Sequence, residues 1–160
     1  MRKKRIMVVG PRKSGKTTLV NALNDYKGPL RRTQDVIYGE KTIDVPSSYI
    51  ENARMYKYII AMSQDASHLI LLIDQSNCQN IYPPGFAKPF KCPVIGVITK
   101  SDLQPENESL CYKQFEQIGV KKPYFKISSP DCNSIEELKQ HLFNKERKGE
   151  HYEVYNRKET

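Results

Sequence analysis

An α/β fold, with a mostly parallel central sheet flanked by helices, follows from two features of the chain. Residues 6–9, 68–74 and 93–99 are apolar runs without polar alternation, the composition of strands buried on both faces. Between them lie stretches with apolar residues at helical spacing, and strands that alternate with helices imply parallel pairing through crossover connections.

The elements can be taken in order. Residues 6–9 form the first strand, and a helix begins near Lys16 with Leu19, Val20 and Leu23 on one face. Gly28 and Pro29 are expected to stop it at 27–29. Two short extended pieces, 35–38 and 41–45, are placed to pair across Gly39 and Glu40. Residues 48–66 read as one helical stretch, with Tyr49, Ala53, Tyr56, Ile59 and Ile60 at roughly helical spacing. The runs HLILLID at 68–74 and PVIGVIT at 93–99 are central strands; 105–118 is helical, 124–127 a strand and 134–143 the closing helix. The segment YPPGFAKPF at 82–90 reads as a proline-stiffened rigid connector. No linker or repeat divides the chain, so 1–145 is expected to be one domain and the charged tail 146–160 to fray or be disordered.

Composition narrows the function. No apolar run approaches the roughly 20 residues that span a bilayer, and the apolar part of the amino-terminal segment is shorter than the roughly 7–15 residues of a secretory signal. Membrane insertion is therefore not expected. The cysteines at 78, 92, 111 and 132 form no C-x-x-C pair, which suggests neither a zinc site nor a redox couple and points to a reducing cytoplasm. The net charge of +8 is local: residues 1–32 hold ten of the 26 Lys/Arg and one of the 18 Asp/Glu. Basic residues gathered around one loop favour a small polyanion over a nucleic acid. Arg2, Lys3, Lys4 and Arg5 are a separate case. They lie a strand length away, roughly 20 Å, well beyond the Debye length of about 8 Å, and read as a solvated edge.

The loop at the centre of that charge is GPRKSGKT, residues 10–17, with the spacing G-x-x-x-x-G-K-T between a strand and a helix. This is the phosphate loop of nucleoside triphosphate-binding proteins, and with the motifs that follow it the chain resembles a three-layer phosphate-loop NTPase, small G-protein-like. Gly10 and Gly15 let the backbone wrap phosphates; Lys13, Ser14 and the amides at the helix start face them; Lys16 neutralises their charge; Thr17, followed by Thr18, can ligate Mg²⁺. Asp44, closing an extended piece, is placed to hold the metal through water, and the hydroxyl of Thr33 to complete its shell when a γ-phosphate is present. Thr99, Lys100 and Asp102 follow a strand. A carboxylate at Asp102 accepts two hydrogen bonds from guanine, the Lys100 stem covers the base, and Ser129 offers a backbone N–H to the guanine oxygen. GTP is favoured over ATP on these grounds.

In their order these pieces resemble the EutP/PduV family of GTPase-like proteins, associated with ethanolamine and propanediol utilisation. The most specific stretches are TQDV at 33–36, IDVPSSYIENARMY at 43–56, PPGF at 83–86 and VIGVITKSDL at 94–103. The resemblance implies a compact nucleotide-binding α/β fold, encoded with enzymes of bacterial microcompartments and described both as GTPase-like and as an acetate kinase. It supports Gly10, Gly15, Lys16, Thr17 and Thr18 for phosphate and Mg²⁺, Asp44 for the metal, and Thr99, Lys100 and Asp102 for the base.

The departures bear on turnover. The family's D-T-P-G appears as Asp44-Val45-Pro46-Ser47, so Ser47 supplies the N–H for the γ-phosphate without glycine's access to positive φ. Ser48 beside it is too short to orient water. Three readings follow: slow Mg²⁺-dependent GTP hydrolysis in which Lys16 and Thr33 act, transfer of the γ-phosphate of ATP to acetate, and a non-hydrolysing, nucleotide-stabilised module that binds microcompartment shell or enzyme proteins.

Overall fold

Met7, Val8 and Val9 have no exposed surface because their strand lies in the interior of the sheet with apolar layers on both faces. Residues 4–26, 35–79, 81–128 and 132–144 are described by the computed structural model. Their elements are β1 (Arg5–Val9), α1 (Lys16–Leu23), β2 (Ile37–Tyr38), β3 (Thr42–Asp44), α2 (Ser48–Glu51), α3 (Tyr56–Ser63), β4 (Ala66–Asp74), β5 (Val94–Thr99), α4 (Glu108–Ile118), β6 (Phe125–Lys126) and α5 (Cys132–Asn144). They build a six-stranded sheet of order β2-β3-β1-β4-β5-β6, parallel except for the β2–β3 hairpin.

Successive residues of a strand point to opposite faces, and here each face has its own core. Ile6, Val8, Ile70 and Leu72 pack with Leu19, Val20 and Leu23 of α1 and with Leu138 and Leu142 of α5. Met7, Val9, Leu69, Leu71 and Ile73 pack on the other side with Ile50, Ile59 and Phe115 from α2, α3 and α4. This two-sided burial is why β1 and β4 show no polar alternation.

Local departures from the sequence expectation have local causes. Helix α1 ends at Leu23, before the glycine and proline expected to stop it. The Asn24 amide donates to Val20 O and Thr42 Oγ1, its oxygen accepts from Lys41 N, and Asp25 takes a left-handed φ of 54° that turns the chain away. The single helical stretch expected at 48–66 is instead two helices and a 3-10 turn at Ala53–Met55. The break is Asn52, extended at φ −125°, whose side chain accepts from Arg54 N and so competes with the helical ladder. Arg5 is more than a solvated edge: its guanidinium donates to Gly39 O at 2.6 Å and holds the β2–β3 hairpin against β1.

The segment 82–90 is a wall of the core and not merely a connector. Tyr82, Phe86, Ala87 and Phe90 are buried, and Phe86 lies 5.1 Å from the Tyr56 ring and 5.4 Å from the Phe90 ring. The Tyr82 hydroxyl donates to Leu72 O at 2.7 Å, and burial pushes that phenol well above its ordinary range. Its prolines hid this role, because they signal a turn whatever the intervening aromatics do.

Phe115 of α4 stands directly over Gly96 of β5, where an added Cβ would come within 2.9 Å of Phe115 Cε1. The helix can lie this close only because the strand has no side chain there. Phe115→Ala is expected to cost about 3–5 kcal/mol and Gly96→Ala about 1–3 kcal/mol. The double variant should lose clearly less than the sum, since each change relieves the other, and urea unfolding of the four proteins measures this coupling.

Candidate functional site

Parallel strands β1, β3, β4 and β5 present their carboxyl ends along one edge of the sheet, the edge at which open α/β sheets bind ligands. Three loops and the start of α1 meet there. The first loop leaves β1 at Gly10, whose missing Cβ would otherwise lie 2.9 Å from both Leu72 Cβ and Ser14 Oγ. It turns through left-handed φ values of 61° at Lys13 and 85° at Gly15 before entering α1. Gly15 is the N-cap and makes no side-chain capping bond, so the helix begins without a side-chain acceptor for its first amides. Ser14 Oγ is buried without a hydrogen-bond partner, a polar atom that a phosphate oxygen would satisfy. The donor set, the bare helix start and this orphaned hydroxyl fit a nucleotide's phosphates.

Lys16 Nζ donates to Asp44 Oδ1 at 2.9 Å, both side chains about one-eighth exposed, at 13% and 12%. The structure thus brings together the two ends of the predicted phosphate and metal site, Lys16 from α1 and Asp44 from the end of β3. A buried pair of this kind leaves either group uncompensated if the other is removed. Thr17 and Asp44 line a cleft of about 350 Å³ between α1 and the β2–β3 hairpin. Among the described residues there is no cluster of three or more His, Cys, Asp or Glu that could hold a metal ion. Thr17 and Asp44, the described members of the metal set expected from the sequence, face this one cleft together. Thr18 is exposed on α1. Thr33 and Ser129 lie outside the described residues.

Ser47, expected to offer its N–H without glycine's access to positive φ, stands where no positive φ is needed. Its φ of −59° lies in the right-handed helical region, so serine is unstrained there. Its carbonyl accepts from the amides of Ile50 and Glu51, making it the start of α2. Ser48 is exposed beside it.

In the loop after β5, to which the sequence reading assigns the base contacts, Thr99 and Lys100 make contacts within the protein. Thr99 is buried, and its hydroxyl donates to Ile73 O at 3.4 Å, so the side chain braces β5 against β4. Lys100, at φ 54°, sends Nζ to Lys13 O at 2.7 Å and to Asp74 Oδ2 at 3.0 Å. The lysine therefore ties the base loop to the crest of the phosphate loop. Asp102 is exposed at the tip.

Two further residues hold this arrangement and were not singled out in the sequence. Asp74 is buried at the end of β4, and besides Lys100 it accepts from Ser76 N and Ser76 Oγ through Oδ1. Gln75, 1% exposed, donates from Nε2 to Ser101 O at 3.1 Å and Leu103 O at 2.8 Å. Its own carbonyl accepts from Asn107 Nδ2 at 2.9 Å. The available signal was a polar pair closing the otherwise apolar strand HLILLID-Q. Arg12 is exposed and, with Lys13, Glu51, Asp74 and Asn77, lines a second cleft of about 430 Å³ beside the phosphate loop.

Known proteins share this fold and parts of this sequence. A probable GTP-binding protein engB has a crystal structure that superposes with a TM-score of 0.64, covering 88% of this chain and 97% of that one at 19% identity. The fold is that of the phosphate-loop GTPases. The propanediol utilization protein PduV of Citrobacter freundii is 33% identical over 136 residues, 84% of this chain and 90% of its own. The probable acetate kinase EutP of Escherichia coli strain K12 is 32% identical over 141 residues, 87% of this chain and 89% of its own. The family model for ethanolamine utilisation and propanediol utilisation proteins matches residues 3–144, and the chain belongs to that PduV-EutP family.

Proposed function

We propose that the protein binds a nucleoside triphosphate with Mg²⁺, GTP in preference to ATP, and hydrolyses it slowly in the service of ethanolamine or propanediol utilisation. The observation that carries this reading is the junction of Lys16, Asp44 and the orphaned Ser14 hydroxyl at the uncapped start of α1. When phosphates enter, Lys16 exchanges Asp44 for a phosphate oxygen, which frees the Asp44 carboxylate to hold metal-bound water. Thr17 would supply a hydroxyl to the same ion, as would Thr33 on the sequence reading. Bound Mg²⁺ would neutralise charge building on the transferred phosphoryl group. Lys16 and the loop amides do the same from the protein side.

Base choice rests on Asp102. Lys100 is anchored at both Lys13 O and Asp74, so its aliphatic stem is fixed as a cover for the base while Asp102 accepts from guanine. A hydrogen bond to an ionised group is worth about 1.5–3 kcal/mol, and adenine has no donor pair to match. Slow turnover follows from Ser48, whose short side chain leaves the attacking water without an orienting amide or carboxylate.

A second reading, phosphoryl transfer to acetate, draws on the 430 Å³ cleft beside the phosphate loop, where Arg12 and Lys13 are cations fit for a small carboxylate. The relative named a probable acetate kinase favours the same direction. Glu51 and Asp74 in that cleft weigh against an anion, which is why hydrolysis is placed first.

Calorimetric titration with GTP, GDP, ATP and ADP in Mg²⁺ should rank GTP first. Lys16→Ala should weaken triphosphate binding about 10- to 100-fold, and Asp102→Ala should weaken GTP by a similar factor while leaving ATP unchanged. Equal GTP and ATP affinities in the unmodified protein would remove guanine selectivity from the proposal. Single-turnover hydrolysis of GTP should proceed on the order of 10⁻³ s⁻¹ or slower without a partner. Acetyl phosphate formed from ATP and acetate, and abolished by Lys16→Ala in a folded protein, would put the transferase reading first.

A further inference from the structure

Cys78 and Cys111 are 33 positions apart in the chain, yet their sulfurs lie 3.1 Å from each other. The absence of a C-x-x-C motif had argued against a thiol couple, but the fold assembles one from the loop after β4 and the first turn of α4. Cys78 is half-buried and Cys111 has no exposed surface, so Cys78 is the more accessible residue of the two. The position of the pair is held from both sides: Gln114 Nε2 donates to Cys78 O at 3.1 Å, and Asn107 Nδ2 donates to Gln75 O at 2.9 Å.

We propose that Cys78 and Cys111 are a modification site, a dithiol that low-molecular-weight disulfides convert reversibly to an intramolecular disulfide, and that this bond stiffens the base loop. In the first step the Cys78 thiolate attacks one sulfur of the small disulfide and expels one small thiolate. In the second, Cys111 gives up its proton and attacks Cys78 Sγ, expelling the small thiol that remained. Two protein thiols are oxidised, one small disulfide is reduced to two thiols, and no other reactant is needed. A disulfide has its sulfurs about 2.05 Å apart, so roughly 1 Å of approach completes the bond.

The order of the steps follows from the surroundings. Burial pushes the Cys111 thiol well above its ordinary range, and the hydrogen bond with Cys78 and the carboxylates of Asp74 and Glu108 push it the same way. Cys111 is therefore the resolving thiol and the half-buried Cys78 the one that reacts first. The consequence runs through three residues of backbone. Gln75, which grips Ser101 O and Leu103 O, precedes Cys78 in the loop that the disulfide would tie to α4. This inference is independent of which nucleotide binds.

The test uses the full chain incubated with oxidised glutathione, followed by non-reducing peptide mapping. The expected product is one intramolecular Cys78–Cys111 disulfide, two hydrogens lighter, reversed by dithiothreitol and formed equally well in the Cys92→Ser variant. Cys78→Ser and Cys111→Ser should each abolish it, and the half-buried position of Cys78 keeps one of these informative if the other does not fold. The oxidised protein should melt roughly 5–10 °C higher and show slower amide exchange at Ser101 and Leu103. Mixed glutathione adducts on Cys78 and Cys92 alike, with no linked peptide, would overturn the modification site. A linked peptide with unchanged exchange at Ser101 and Leu103 would overturn its coupling to the base loop.

Discussion

Parallel pairing of β1 with β3 on one side and β4 on the other is the constraint on which the site depends. The register opposes Val8 to Asp44 and to Ile70, so the phosphate loop leaves the sheet within reach of the carboxylate that ends β3. The β4–β5 register opposes Asp74 to Thr99, which sets Lys100 beside the Asp74 carboxylate. Neither contact is available to an antiparallel arrangement, in which neighbouring strands finish at opposite edges. What secures the register is burial on both faces: a one-residue slip of β1 would exchange Met7 and Val9 for Ile6 and Val8 between two cores of different shape.

Much of this was legible because the chemistry is local. The spacing from Gly10 to Thr17 specifies a turn, a cation and a hydroxyl within eight residues, and the apolar runs around it identify strand and helix without reference to distant parts. Asp44 was legible as the carboxylate that closes an extended piece, and it does end β3, beside Lys16. The hairpin of β2 and β3 followed from Gly39 between two extended pieces.

The rest was hidden because the partners are far apart in sequence. Asp74 and Lys100 are separated by 26 positions, Gln75 and Leu103 by 28, and Cys78 and Cys111 by 33. Each looks ordinary alone: an aspartate after a strand, a glutamine in a loop, a cysteine with no neighbour. Thr99 was read as a base contact from its tetrapeptide, which does not reveal that its buried hydroxyl donates to the Ile73 carbonyl of the adjoining strand. Asn52 likewise breaks a helix whose hydrophobic spacing looked continuous, because one side-chain bond to Arg54 N competes with the ladder where no apolar contact depends on its continuing.

These hidden contacts converge on one lysine. Lys100 reaches the phosphate loop at Lys13 O and the end of β4 at Asp74, so the two loops proposed to hold opposite ends of a nucleotide are joined to each other. Lys13 and Lys100 both hold left-handed backbone, at a cost of about 1–2 kcal/mol each, and the bridge joins these two strained residues. Arg12 sits on the same crest without such an anchor. The crest is therefore not a uniform patch of positive charge: its middle carbonyl is held by Lys100, while the Arg12 and Lys13 side chains line the neighbouring cleft.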